Sequence, residues 1–167
     1  CTTDNPSFGD TAWQLDPARN QYYFHRFYPE QPDLDYRNPE VVDAALDTAR
    51  FWLDRGVHGF RCDVIALLVE SATDCGFLPE TKAIVRELRK VLDEYPERVM
   101  VAEPSDLADA TPYFGDGTDM FQMAFHFGYG YFWQFSFNAQ SPDEIISTFE
   151  SSLASYPPGG QHALEEG

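Results

Sequence analysis

The chain has 167 residues, with 11 Lys plus Arg against 28 Asp plus Glu and a formal charge of −17. That length fits one domain, and a surface so acidic repels phosphate backbones and anionic headgroups, which argues against nucleic acid or a membrane surface as partner. Hydrophobic residues make up 43% and aromatics 16%, enough to bury a core and so to exclude disorder.

Residues 1–38 are rich in Asp, Asn, Pro and aromatics without a sustained period, and read as an ordered, extended loop region. Asn38-Pro39-Glu40 then predicts a helix start: a capping amide, a proline where no N–H is needed, and an acid at the positive dipole end. Val42, Ala45, Leu46, Ala49, Phe51, Trp52 and Leu53 follow at three-and-four spacing, and Gly56 supplies the stop. Val57 to Asp63 reads as a buried strand. The apolar run from Val64 to Val69 is far too short to cross a bilayer. A second amphipathic helix is predicted after Pro79, with Ala83, Ile84, Leu88, Val91, Leu92 and Tyr95 on one side and Pro96 as its end. Val99-Met100-Val101-Ala102 is the next buried strand, stopped by Pro104.

Between Pro112 and Asn138, eleven residues are Phe, Tyr or Trp. They fit either a core strand with a heavily packed flank or an aromatic wall on which sugar rings stack. A third helix starts at the capping box Ser141-Pro142-Asp143-Glu144, carries the stripe Ile145, Ile146, Phe149 and Leu153, and ends before Pro157-Pro158-Gly159-Gly160. The cysteines, Cys1, Cys62 and Cys75, are odd in number and lack C-x-x-C spacing. They suit a reduced protein better than a disulfide scaffold, a lean towards the cytoplasm, and they offer no metal cluster.

Continuous apolar strands alternating with helices predict an α/β fold with a parallel sheet covered on both faces. Asp63 and Glu103 lie 40 residues apart, close to one unit of a (β/α)8 barrel, in which about 250 residues make eight units. An open doubly wound sheet gives the same local pattern, but neither G-x-G-x-x-G nor G-x-x-x-x-G-K occurs.

The anomaly is charge at strand ends. In Gly59-Phe60-Arg61-Cys62-Asp63, alternation puts Arg61 and Asp63 on one face and Phe60 and Cys62 on the other. An adjacent guanidinium favours the ionised carboxylate, which suits a nucleophile; a structural Arg–Asp ion pair has the same spacing. Glu103 ends the next strand after an apolar run, where a carboxyl keeps its proton more easily. Neighbouring parallel strands bring both acids to one rim, at a separation that can meet the roughly 5–5.5 Å of a retaining glycosidase.

Gln31-Pro32-Asp33-Leu34-Asp35, Asn38-Pro39-Glu40-Val41, Phe51-Trp52-Leu53-Asp54-Arg55-Gly56, Gly59-Phe60-Arg61-Cys62-Asp63-Val64-Ile65 and Val101-Ala102-Glu103-Pro104 together resemble the α-amylase superfamily of glycoside hydrolases, family 13. They are most similar to its oligo-1,6-glucosidase, α-glucosidase and trehalose-synthase group. The resemblance is dense from about Gln21 to Asp119 and thins afterwards. It implies that residues 1–38 are the end of an inserted B domain and that 39–167 are part of a (β/α)8 catalytic barrel, about strands four to six with their helices. It implies Asp63 as nucleophile and Glu103 as acid/base, with Arg61 holding the nucleophile. Gln31 and Val64 resemble the oligosaccharide-specific branch, Val64 leaning towards α-1,6 bonds. His126, between Phe125 and Phe127, lines the pocket on this reading or is a core histidine; His58 reads as a solvated loop residue.

The implied activity is double displacement on α-glucosidic bonds of short gluco-oligosaccharides, with water or a sugar hydroxyl as acceptor. The family's first motif, with a sugar-contacting His, and its last, a His-Asp pair, are not found; His162 is not followed by Asp. The expectation is therefore an incomplete catalytic domain, with little activity on its own. A catalytically silent accessory or sugar-binding relative is the alternative, and the joint presence of Arg61, Asp63 and Glu103 favours the enzyme. No cofactor is expected. Asp33 matches a position many relatives use for calcium, but Leu67 stands where those supply a His, so calcium is not expected here.

Overall fold

Two sheets organise the residues that this computed structural model describes, which are 11–71, 74, 76–104, 109–127, 142–158 and 161–163. Strands β1 (Trp13–Asp16) and β2 (Gln21–Phe24) form an antiparallel hairpin where the sequence suggests only extended loop. The strand pattern is hidden because aromatics occupy both faces. Trp13 pairs with Phe24 and Leu15 with Tyr22, while Tyr23 lies opposite Gln14 on the other side. The Trp13 and Phe24 rings meet edge-on with centroids 5.3 Å apart, the kind of cross-strand pair that stabilises a sheet. Asn20 closes the turn at φ 53°, a left-handed conformation that Asn tolerates.

Helix α1 (Pro39–Leu53) begins as its sequence predicts: Asn38 Oδ1 accepts the Glu40 N–H at 3.0 Å, and Pro39 occupies the first turn. Gly56, at φ 88°, donates its N–H to the Leu53 carbonyl at 2.9 Å and turns the chain into β3 (Gly59–Cys62). A 3-10 turn at Ile65–Leu68 leads towards α2 (Pro79–Asp93) and β4 (Val99–Ala102). A second 3-10 turn, Thr111–Tyr113, precedes β5 (Met123–Phe125), and α3 (Asp143–Ser155) precedes β6 (Gln161–Ala163). The second sheet has the order β3-β4-β5-β6 and every pairing is parallel. Strand β6 is absent from the sequence reading, because three residues after a proline pair carry no pattern of their own. Among the described residues no helix is long and apolar enough to cross a membrane.

The register sets the two faces of the sheet. Arg61 pairs with Val101 and Val101 with Met123; Cys62 pairs with Ala102 and Ala102 with Ala124. Met100, Ala102 and Ala124 are fully buried and share a core with Leu53, Val85, Leu92, Phe114 and Phe121, against which Phe60 and Cys62 pack. Burial pushes the Cys62 thiol up to about 12. Arg61, Val101 and Met123 therefore share the opposite face, as strand alternation predicts. Strands β3 and β4 lie so close that a Cβ on Gly59 would sit 1.9 Å from the Val99 carbonyl oxygen.

Leu88, Val91, Leu92 and Tyr95 of the predicted stripe pack against the core, and helix α2 departs from that stripe at its start. Its buried residues are Thr81, Val85, Val91 and Leu92, whereas Ala83 is exposed. At 3.6 residues per turn Ala83 lies about 200° round from Thr81, on the far side. In α3, Ile146 and Phe149 are exposed rather than buried. The Ser141 cap, the side chains of Glu144, Ile145 and Leu153, the aromatics from Tyr129 to Phe137, Cys1 and Cys75 lie outside the described residues.

Candidate active site

Beyond their last paired residues, β3 and β4 stay in register: the Glu103 N–H donates to the Cys62 carbonyl at 3.1 Å. Asp63 and Glu103 thus leave the carboxyl ends of adjacent strands side by side. One guanidinium holds them both. Arg61 Nη1 lies 2.5 Å from Asp63 Oδ1, and Nη2 lies 2.8 Å from Glu103 Oε2. That shared clamp brings the two carboxyl groups close together at the strand ends. Beneath the clamp, the Phe125 ring centroid lies 5.5 Å from the Arg61 Cζ, within cation–π range.

The chain then turns sharply. Val64 adopts φ 36° and ψ 43°, the left-handed region, and its N–H donates to Glu103 Oε2 at 3.0 Å. Oε2 of Glu103 therefore accepts from both Arg61 and Val64. The two acids differ in access: the Asp63 side chain is 69% exposed and that of Glu103 is 17% exposed. Burial, the largest influence, pushes the Glu103 carboxyl above the ordinary glutamate range. The hydrogen bond and charge of Asp63 push the same way, against the Val64 N–H and the Arg61 charge. Glu103 is thus the recessed acid and Asp63 the open one, and both pair with Arg61.

The alpha-amylase catalytic domain matches residues 2–155 of the chain. The chain belongs to the alpha-amylase family. It is 50% identical over 124 residues to the trehalose synthase/amylase TreS of Mycolicibacterium smegmatis, covering 71% of this chain and 21% of that protein. Against an alpha-glucosidase of Apis mellifera the identity is 36% over 146 residues, covering 71% and 25%. The crystal structure of the alpha-glucosyl transfer enzyme XgtA superposes at TM-score 0.76 with 30% identity, over 97% of this chain and 35% of that one. The chain spans about a fifth to a quarter of the length of these curated relatives. Its parallel sheet and helices are a part of the (β/α)8 barrel of this family.

Of the family-like residues singled out in the sequence, Arg61, Asp63, Val64 and Glu103 come together. Gln31 lies in an exposed turn, its N–H donating to the Tyr28 carbonyl at 2.9 Å, and is not drawn into this group by the described contacts. His126 is 9% exposed and sits one residue past Phe125, beyond the end of β5. His58 is exposed, as expected of a loop residue. The sequence reading gave Arg61 to Asp63 alone; its second bond, to Glu103, depends on the β3–β4 register and has no local signal.

A second polar cluster escaped the sequence altogether. His25 is buried with its Nδ1 3.0 Å from the Phe27 carbonyl oxygen, and Arg26 Nη1 lies 3.4 Å from Glu70 Oε2 with both side chains nearly enclosed. Arg26 and Glu70 are far apart in sequence and belong to no motif. Asp33, which the family resemblance singles out for calcium, is engaged by the main chain. Its Oδ2 accepts the Arg26 N–H at 2.5 Å, and the Arg26 guanidinium is a cationic neighbour. Among the described residues no three His, Cys, Asp or Glu side chains are grouped to hold a metal ion.

Proposed function

We propose that these residues supply the nucleophile and the acid/base of a retaining enzyme that transfers α-linked glucosyl units of short gluco-oligosaccharides to water or to a sugar hydroxyl. The observation that carries this reading is the single Arg61 guanidinium holding two carboxyl groups at the ends of adjacent parallel strands. Asp63, the exposed acid, attacks the anomeric carbon as the recessed Glu103 gives its proton to the departing glycosidic oxygen. A covalent glucosyl ester on Asp63 results. Glu103, now ionised, takes a proton from the incoming water or hydroxyl, whose oxygen displaces Asp63 from the opposite face. Two inversions leave the anomeric configuration unchanged.

The names of the relatives, a trehalose synthase/amylase, an alpha-glucosidase and an alpha-glucosyl transfer enzyme, support both acceptors. The same reading assigns residues 1–38 to the end of an inserted B domain and 39–167 to the barrel, which the separate two-stranded sheet supports. Val64, His126 and Arg61 are the substrate-binding residues on this reading, and Gln31 joins them on the family resemblance alone.

The test uses an enzyme of full family length carrying these residues, incubated with 5-fluoro-α-glucosyl fluoride. Peptide mapping is expected to find the glucosyl ester on Asp63, with no label in Asp63→Asn. A label on another residue, or first-formed product of inverted configuration by proton NMR, overturns the proposal.

A further inference from the structure

We infer that Val64 is a positioning residue for Glu103: its left-handed backbone aims an amide N–H at Oε2, which, with Arg61 on the same oxygen, makes Oε1 the atom that carries the catalytic proton. The inference rests on the retaining-glycosidase reading and assigns a task within it that no side chain performs.

A β-branched residue at φ 36° is an outlier that the backbone avoids unless its surroundings enforce it. Here the turn has a visible product. Val64 stands at the junction between β3 and the Ile65–Leu68 turn, and the bend brings its N–H to 3.0 Å from the side chain that ends the next strand. Oε2 also receives Arg61 Nη2 at 2.8 Å. A carboxyl oxygen has two in-plane lone pairs, so two N–H donors fill it. A proton placed on Oε2 would point at one of those N–H hydrogens; on Oε1 it meets none among the described residues. Substrate entering beside the acids then takes the proton from Oε1.

The transfer balances simply. The Oε1–H bond breaks as the glycosidic oxygen gains the proton, the C1–O electron pair leaves with that oxygen, and an Asp63 lone pair forms the new bond to C1. The negative charge left on Glu103 is shared with an Oε2 already solvated by two donors, so no group has to move to receive it. Among the described residues, the charged groups facing Glu103 are Arg61 on β3 and Asp63 just beyond its end. On the β5 side stand the Phe125 ring and, one residue further, His126.

The experiment removes the N–H alone. In the enzyme of full family length, Val64 is replaced by its α-hydroxy acid through nonsense suppression, turning the amide into an ester. The ionised form of Glu103 loses a donor, so the alkaline limb of kcat/KM is expected to move up by about one pH unit. Val64→Gly keeps the N–H and accepts a left-handed φ without strain; its limb is expected to stay in place, whatever happens to kcat. An ester variant that turns over with an unmoved limb overturns the inference, because a merely structural turn would cost stability without changing this pKa. A 13C NMR titration of the Glu103 carboxyl carbon, assigned with Glu103→Gln, reads the same shift without turnover. Failure of the glycosidase reading itself shows differently: no ester forms on Asp63 in the unaltered enzyme.

Discussion

Glu103 is held between opposing influences, and their balance is measurable. Its folded pKa is raised, chiefly by burial, so its carboxylate binds a proton more tightly in the folded state than in the unfolded one. The associated stability is fully present below the unfolded pKa and is lost as pH rises through the raised folded value. Urea midpoints are therefore expected to fall across that window in the unaltered enzyme and to stay flatter in Glu103→Gln. Activity of Glu103→Gln on ordinary α-glucosides is expected to drop on the order of 10²–10⁴-fold. Glucosyl fluoride, whose leaving group needs no proton, should be spared, and an equal loss on both donors would remove Glu103 from the acid role. The two acids were legible in the sequence because charge at the end of an apolar strand is costly unless used. The Val64 backbone was not, since a left-handed valine follows from tertiary contacts that no local propensity encodes.

At the level of the elements, the spacing of Arg61, Asp63 and Glu103 depends on how closely β3 approaches β4. Gly59 permits that approach, as a methyl group there would meet the Val99 carbonyl. Gly59→Ala is expected to destabilise by about 1–3 kcal/mol through overpacking. It should lower kcat/KM as well, because Arg61 lies two residues along the displaced strand; thermal unfolding and steady-state kinetics on one preparation check both. Helix α1 and strands β3 and β4 could be read in advance from cap and apolar pattern, but Phe51 and Trp52 of the predicted α1 stripe are exposed and β3 is only partly buried. The hairpin could not, since Trp13, Tyr22, Tyr23 and Phe24 blur its alternation, and β6 exists only by pairing with β5. In α2 the true stripe runs through Thr81 and Val85, a polar residue having taken a core position.

Across the whole molecule, the Arg26–Glu70 pair joins the segment that carries the hairpin to the loop beyond the Ile65–Leu68 turn. Both side chains are nearly enclosed, at 11% and 7% exposure, so removing one strands the other as a buried charge. Arg26→Met is expected to cost about 3–5 kcal/mol. Arg26→Met combined with Glu70→Leu should recover most of that loss in urea unfolding; a double variant as unstable as the single one would show that the pair acts by something other than charge compensation. The sequence held no trace of this link, because two residues that meet only in three dimensions leave no spacing to read.

The shared guanidinium also constrains how such a site can be re-engineered. To exchange one anomer of the product for the other, a designer must open a gap wide enough for a water molecule beside the sugar. On the proposed reading, trimming Asp63 opens that gap on the face where water must attack but removes the base that would activate it, while Glu103 stays tethered by Arg61 and the Val64 amide. A stereochemical switch in this scaffold therefore needs a new base set further back, beyond the reach of position 61.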